Sequence, residues 1–321
     1  MKKKSCTAAI QLGLTLALTG NIALGQSFPS KPIRIVTSEI GGSSDLVSRL
    51  IANGIAGPMG QQVIIDNRPG GSIAGEAVLK SPPDGHTLIY YGNALWILPM
   101  LRKSVPYDTV RDFSPITLTV IAPTILVVPP ALPIKSVKEL VAMAKAQPGK
   151  LNYGAAASGT TTHLAAELFK SLASVDIVRI TYKGNASAIN DVLAGNIQMT
   201  FAPAGAVAQH IKSGRARALA VTNALPSVAY PDLPTVAAAG VAGFEAESIY
   251  GMWAPGKTPS AVISRLNQEI TKVLKQPDIT SKLFGLSMEV VASTPEQFVD
   301  KVKSEIVRMG KVITEAGIRD E

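Results

Sequence analysis

Strand-like runs alternate with helix-like runs along this chain, and the alternation occurs in two successive sets. The first set has three short runs rich in branched apolar residues, at Ile33–Thr37, Val63–Asn67 and 87–91, with helical patterns between them. The second set has the same form. Its strand-like runs are Thr124–Val128, 151–157, 178–184, 197–202 and 217–222. This alternation predicts parallel or mixed sheets with helices on both faces, and therefore two α/β domains.

The C-terminal part of the chain has a different pattern. A connection marked by prolines leads to a strand-like run at Ser248–Pro255. Two long helical patterns follow, at 259–275 and 295–316, with a short strand-like run at 288–291 between them. No flexible Gly/Ser linker separates the two sets, so we expect short hinge strands to connect the domains.

Residues 1–25 have the pattern of a secretory signal, with lysines before a short apolar run and small residues before an expected cleavage between Gly25 and Gln26. The apolar run is too short to span a bilayer, and no later run reaches about 18 uninterrupted apolar residues. The only cysteine, Cys6, lies in this segment. We therefore expect a soluble, exported, periplasmic protein whose mature form has no thiol for disulfides, catalysis or metal binding.

The residue patterns typical of enzymes are missing. The sequence has no G-x-S-x-G nucleophile motif, and its three histidines are His86, His163 and His210. His163 would need an orienting carboxylate to act as a catalytic base, and the sequence offers none near it except Glu167, one turn later. Histidine pairs with ligand spacing, phosphate loops and G-x-G-x-x-G are also missing. The sequence predicts no catalytic residues, no metal and no cofactor, and so a protein that holds a ligand unchanged.

The charge pattern favours a small anion as the ligand. The formal net charge is +8, and it falls to +5 when Lys2, Lys3 and Lys4 leave with the signal segment. The remaining basic residues are scattered and aromatic residues make up only 5% of the chain. Nucleic-acid binding usually needs a clustered basic face or stacking aromatics, so it is not expected here. A mild positive field suits attraction of small anions.

Several loops rich in Gly, Ser and Thr precede helix-like runs. Free N–H groups and a partial positive charge of roughly +0.5 at a helix start can bind an anion, and small residues allow close approach. The alternative is that these residues are ordinary helix caps. At the carboxyl ends of strands in an α/β sheet such loops converge on a ligand cleft. The loops are 41–45, 92–93, 158–162 and 182–187.

These segments resemble the extracytoplasmic solute receptors of tripartite tricarboxylate transporters, the Bug receptor family. The resemblance runs from about Pro29 to near the C-terminus. It is carried by "PSKPIRIV", "GGSSDLVSRLIA", "VIIDNRPGGSIAGEAVLKSPPDGHTL", "PYDTVRDFSPI", "LNYGAAASGTTTHLAAELF", "DIVRITYKGNASAINDVLAGNIQMTF", "RALAVTN" and "YPDLPTVAAAGVAGFE".

The resemblance implies a type II periplasmic binding-protein fold, with residues 27–122 plus 223–321 as domain 1 and 123–222 as domain 2. It implies a small organic carboxylate held mainly by N–H groups and hydroxyls, delivery to the permease subunits of a transporter, and a monomer. It favours a structural role for His163. The ligand-binding residues expected from the loops and the resemblance are Gly42, Ser43, Ser44, Asp45, Asn93, Ser158, Gly159, Thr160, Thr161, Thr162, Tyr182 and Ala204.

The chain departs from the family pattern in two places. Glu39 and Ile40 stand before the first glycine pair, where the family usually has an aromatic residue and prolines. After Phe201 the sequence reads "APAGA", where the family often has an acidic residue. Both changes affect which acid binds. Trp96 is expected in the core, with contact to an aromatic ligand as the alternative. Two other functions stay open: a ligand sensor for a signalling partner, and an exported enzyme acting on a carboxylate.

Overall fold

A computed structural model describes residues 28–38, 40–41, 43–68, 70–156, 159–182 and 184–318. The expected signal segment 1–25, Glu39, and the predicted ligand residues Gly42 and Ser158 lie outside the described residues. Within those ranges, none of the helices is both long enough and apolar enough to cross a membrane.

The described residues form eleven strands and eleven helices. The strands are β1 (Ile33–Thr37), β2 (Val63–Asn67), β3 (Thr87–Gly92), β4 (Phe113–Ala122), β5 (Thr124–Val128), β6 (Asn152–Ala155), β7 (Val178–Thr181), β8 (Met199–Pro203), β9 (Arg217–Val221), β10 (Ser248–Pro255) and β11 (Glu289–Val290). The helices are α1 (Ser43–Met59), α2 (Gly71–Leu79), α3 (Ala94–Leu101), α4 (Thr109–Asp112), α5 (Val137–Ala146), α6 (Thr161–Ala173), α7 (Asn185–Ala194), α8 (Ala204–Lys212), α9 (Ser260–Leu274), α10 (Pro277–Gly285) and α11 (Pro295–Glu315).

The first sheet has six strands in the order β11-β4-β10-β3-β1-β2. Strand β1 runs parallel to β2 and β3, which places Ile35 level with Ile65 and Leu88. Strand β10 runs antiparallel between β3 and β4. Helices α1 and α9 pack on one face and α2, α3 and α11 on the other. Because both faces are covered, the central strands are continuous apolar runs, as the sequence pattern predicted.

The second sheet has five strands in the order β7-β6-β8-β5-β9. Strand β6 runs parallel to both of its neighbours, whereas β5 runs antiparallel to β8 and β9. Helices α5 and α6 supply apolar residues to one face, and α7 and α8 to the other. The predicted mixed sheets with helices on both faces are therefore confirmed.

The chain passes between the two sheets at two adjacent points. Strand β4 of the first sheet ends at Ala122 and β5 of the second begins at Thr124, while the return follows β9 at Thr222. The hydroxyls of Thr124 and Thr222 are 2.6 Å apart, and both side chains are buried. This pair ties the two crossings together where a hinge between the sheets would lie.

Helix α11 packs its apolar stripe against the first sheet through an aromatic cluster of Trp96, Trp253 and Phe298. Gly251 of β10 allows this packing, since a Cβ added there would lie 2.1 Å from Phe298 Cζ. Trp96 is 1% exposed, which confirms that it belongs to the core. The start of α11 is fixed by a capping box between Thr294 and Gln297.

Candidate functional site

A cleft with a volume of about 680 Å³ lies between the two sheets. Its walls come from the residues at or just after the carboxyl ends of β1, β3, β4, β6 and β8, where ligands bind in α/β folds. Small, hydroxyl and amide side chains predominate. Polar residues of the wall include Ser38, Ser43, Ser44, Asn93, Thr124, Thr160, Thr161, Thr162, Asn185, Ser248 and Ser287.

Five helices begin at this cleft: α1, α3, α6, α7 and α8 each contribute residues of their first turn to its wall. No side chain caps the N-termini of α3, α7 and α8. The first N–H groups of a helix lack partners within the helix, and the helix dipole adds partial positive charge at the same end. The cleft is therefore suited to hold a negative group without a cationic side chain.

The loop 41–45, which the sequence predicts as the first binding loop, is held from inside by Asp45. This residue is 1% exposed, and its carboxylate accepts hydrogen bonds from Gly41 N–H at 2.9 Å and Asn67 Nδ2 at 2.8 Å. It also pairs with Arg49 at 2.9 Å. Burial alone would raise the pKa of Asp45, but the bonds from Arg49, Asn67 and Gly41 outweigh it and lower the pKa. Ser43 and Ser44 line the cleft, whereas Asp45 faces the loop interior and shapes it.

The loop 158–162, which the sequence predicts as the second binding loop, is held by His163. Gly159 N–H donates to Nδ1 of His163 at 3.1 Å, and the imidazole is 2% exposed. Burial, together with the nearby Arg179 guanidinium, lowers the pKa of His163 to about 4, so the ring is neutral at pH 7. The structural role expected for His163 agrees with this geometry. Thr160, Thr161 and Thr162, which precede it, line the cleft.

The side chains of Asn93 and Tyr182 are both held by hydrogen bonds within the protein, and of the two only Asn93 belongs to the cleft wall. The Asn93 amide donates to the Glu305 carboxylate and to the Glu247 carbonyl at 3.2 Å, and its Oδ1 accepts from Ile249 N–H at 2.8 Å. Its side chain therefore fixes the start of α3. Tyr182 donates its hydroxyl to Asp191 at 2.6 Å and is not part of the cleft wall.

The apolar sequence "APAGA" after Phe201, which departs from the family pattern, leads into the start of α8 at Ala204. Ala204, Gly205 and Ala206 line the cleft, opposite Leu286 and Ser287 of the first-sheet side. Small residues here leave the backbone of α8 accessible. Ile40, before the first loop, is 78% exposed.

Sequence reasoning missed Glu305 of α11. This glutamate belongs to the cleft wall and is 3% exposed. Burial raises its pKa to about 7, although bonds from Trp96 and Asn93 and the charge of Arg308 act in the other direction. A signal was present in the sequence. Glu305 interrupts an apolar helical stripe composed of Phe298, Val302, Met309 and Val312.

The site has no grouping that suggests a metal. Among the described residues, no cluster of three or more His, Cys, Asp or Glu side chains could hold a metal ion. His86, in its predicted turn, accepts a hydrogen bond from Ser30 N–H at 3.1 Å.

Comparison with known proteins gives one family. The family model described as "Tripartite tricarboxylate transporter family receptor" matches residues 47–318. A UPF0065 protein encoded in the tcbD–tcbE intergenic region of Pseudomonas sp. strain P51 is 36% identical over 310 residues, which cover 94% of this chain and 92% of the relative. Protein BugT of Bordetella pertussis is 32% identical over 315 residues, which cover 96% and 97% respectively.

Solved structures show the same fold. R. palustris Rpa4515 with adipate is 34% identical with a TM-score of 0.73, covering 91% of this chain and 99% of that one. The periplasmic binding protein BugD is 29% identical with a TM-score of 0.70, covering 92% and 100%. MatC of Rhodopseudomonas palustris with bound malate is 26% identical with a TM-score of 0.71, covering 89% and 100%. These likenesses confirm the predicted periplasmic binding-protein fold.

Proposed function

Because the chain belongs to the tripartite tricarboxylate transporter receptor family, we propose that it binds a small organic carboxylate in the cleft and delivers it to the membrane subunits of such a transporter. The observation that carries this proposal is the convergence of five helix N-termini on a cleft between two sheets. A receptor role also agrees with the expectation that the chain does not transform its ligand.

The ligand class is supported by chemistry and by the neighbours. Rpa4515 contains adipate and MatC contains malate, both dicarboxylates. In this chain the cleft offers hydroxyls and helix N–H groups to such an anion. Hydrogen bonds to a charged group contribute roughly 1.5–3 kcal/mol each. Four or five of them, with burial, reach the ~8 kcal/mol of a micromolar affinity after the cost of association.

The contacts proposed for the ligand divide between the two loops. Ser43 and Ser44 would donate from the first-sheet side, and Thr160, Thr161 and Thr162 from the second-sheet side. The start of α8 at Ala204 would add backbone N–H groups. Gly42, Ser158 and Gly159 belong to the same loops in the sequence and are retained as predicted ligand residues. Asp45, Asn93 and Tyr182 are proposed to position these loops.

Delivery requires the receptor to change shape with its ligand. We propose domains of 27–122 plus 223–321 and of 123–222, closing about the buried threonine pair Thr124 and Thr222. The chain would act as an exported monomer in the periplasm, after cleavage near Gly25. The partner would be the permease subunits, which recognise the closed form.

A thermal-shift screen of the mature protein against acidic amino acids, dicarboxylates, tricarboxylates, hydroxy acids and aromatic acids tests this function. A ligand present at 100 times its Kd stabilises by about 2.7 kcal/mol. The variant Thr161→Val should weaken the response at least severalfold, because it removes a hydroxyl donor. Thr314→Val is the matched control, since Thr314 is an exposed helical threonine of α11 that bonds only its own helix. No response from any acid would refute the proposal.

A further inference from the structure

The wall of the cleft contains a buried carboxyl group that the ligand contacts proposed above do not use. Oε2 of Glu305 accepts from Trp96 Nε1 at 2.6 Å, and Oε1 accepts from the Asn93 amide. Both donors are neutral. Glu305 is 3% exposed, so water does not compensate for the missing positive charge.

The nearby cations are engaged by other acids. Lys301 pairs with Glu245 and, at 2.6 Å, with Glu247, and Arg308 pairs with Glu245 at 3.0 Å. These two glutamates precede β10, whereas both cations share α11 with Glu305. Burial raises the pKa of Glu247 in spite of Lys301. The positive charge of this cluster is therefore largely matched by Glu245 and Glu247. The charge of Arg308 lowers the pKa of Glu305, and the charge of Glu247 acts in the opposite direction.

The remaining groups around Glu305 carry no cation. Helix α3 presents Asn93 and Trp96, while β3 and β10 contribute the phenols of Tyr91 and Tyr250 to the cleft wall. The second-sheet loops face the cleft with Thr160–Thr162 and Asn185. In the part of the chain that the structure describes, the cleft wall includes no Lys, Arg or His, and Glu305 is its only carboxyl group.

An anionic ligand in the cleft and an ionised Glu305 in its wall would place two negative charges close together, and the charge on Glu305 is itself shielded from water. Like charges in such a space cannot both ionise without a large cost, so the more easily protonated group takes up a proton. Dicarboxylates of the proposed class are ionised above about pH 6, whereas burial has already brought the pKa of Glu305 to about 7. Glu305 is the group that protonates.

We propose, on the basis of the proposed function, that Glu305 is the proton-linked group of this receptor: Glu305 carries a proton whenever a carboxylate ligand occupies the cleft. Above neutral pH the ligand therefore binds together with one proton, which is taken from solvent onto Glu305 and returned to solvent when the ligand leaves. The protonated carboxyl keeps its two hydrogen bonds, because each oxygen has a second lone pair. Its O–H then becomes a donor for the ligand carboxylate. Anionic ligands therefore bind tightly only at a pH that allows Glu305 to be protonated.

The test is the pH dependence of the Kd for adipate or malate, measured by calorimetry in two buffers of different ionisation enthalpy. We expect the Kd of the unmodified protein to rise about tenfold from about pH 6 to about pH 8, with uptake of about one proton per ligand at about pH 8. Glu305→Gln should lose both effects, with less than about twofold change in Kd over this range. The control Glu269→Gln removes a buried carboxyl of α9 that lies outside the cleft wall, and it should retain the dependence.

A second variant keeps the test decisive if Glu305→Gln folds poorly. Trp96→Phe removes a donor that favours the ionised carboxyl, so the midpoint of the Kd curve should move to higher pH while the carboxyl stays. A Kd independent of pH in the unmodified protein would overturn the inference and leave the receptor function standing. Tighter binding at higher pH would overturn it in favour of a ligand that donates to ionised Glu305. Absence of binding by both acids at about pH 6 would overturn the inference too, and silence of the full panel would refute the receptor function itself.

Discussion

Gly159 lies in the second binding loop where two independent constraints exclude a side chain. Its φ is +77°, and an added Cβ would lie 2.2 Å from Leu101 Cδ1. Leu101 ends α3 and is 7% exposed, so it cannot move aside without disturbing the core. The contact crosses the cleft from a second-sheet loop to a first-sheet helix. Gly159→Ala therefore tests both the loop conformation and the packing of the two halves.

The two costs can be separated with a matched variant. Gly195 has a φ of +79° with nothing within 4 Å of an added Cβ, so Gly195→Ala reports the backbone strain alone, about 1–2 kcal/mol. Gly159→Ala should add about 1–3 kcal/mol for overpacking against Leu101. The sum is about 2–5 kcal/mol. Each kcal/mol shifts the Tm by about 2–4 °C, so thermal unfolding can measure the difference between the two variants.

A double-mutant cycle assigns the excess to one contact. In a Leu101→Ala background, the cost of Gly159→Ala should fall to that of Gly195→Ala, because the clashing atom is gone. Equal costs for the two glycine variants, with identical small-angle scattering profiles, would refute the reasoning. A larger radius of gyration for Gly159→Ala would instead show that the halves separate to relieve the clash.

Three further perturbations follow from the same structure. Asp45→Ala should destabilise by about 2–4 kcal/mol in urea unfolding at pH 7, because it removes the acceptor of the Gly41 N–H, one of the two acceptors of the Asn67 amide and the partner of Arg49. The exposed Asp278→Ala is the control and should change stability by less than about 0.5 kcal/mol. Thr222→Val should cost about 1–3 kcal/mol, since the buried Thr124 N–H and hydroxyl both lose a partner; an unchanged denaturation midpoint would contradict the hinge pairing. Burial raises the pKa of Glu305 to about 7 in the folded chain, so its contribution to the free energy of unfolding is complete below about pH 4.5. About 3 kcal/mol of this stability is lost as the pH rises to about 7, and Glu305→Gln should remove this pH dependence.

The sequence predicted most strands well because both faces of the sheets are buried. Predicted and observed bounds coincide for β1, β2, β5 and β10, each of which is a short run rich in branched or aromatic residues. Strand β4 was missed although it lies beside β10 and carries ten residues. Pro115 and three threonines or serines interrupt its apolar pattern, and its pairing with β10 has two register shifts. Strand propensity alone therefore does not predict a strand in this segment, whereas pairing with β10 stabilises one.

The sequence predicted which loops line the cleft, but not which side chains of those loops face it. Ser44 and Asp45 are adjacent residues at the same helix start, yet one lines the cleft and the other bonds back into the loop. Composition indicates which residues can cap a helix or donate a hydrogen bond. The direction in which each side chain points depends on partners that are distant in sequence. Asn93 is an example, because its carboxylate partner Glu305 lies 212 residues away. No local pattern joins these two positions.

A cleft of neutral donors explains why a buried acid is tolerated in an anion receptor. A cationic side chain in the wall would form a permanent ion pair with Glu305 and hold it ionised, and the ligand would then have to displace that pair at the cost of leaving a buried charge unpaired. With helix N–H groups and hydroxyls instead, the favourable field is spread over α1, α3, α6, α7 and α8 and no single side chain neutralises the acid. The ligand and the proton then enter together. The net charge added to the cleft is therefore one unit more positive than the charge of the ligand alone. Release is favoured by the same step in reverse wherever the protein meets a higher pH.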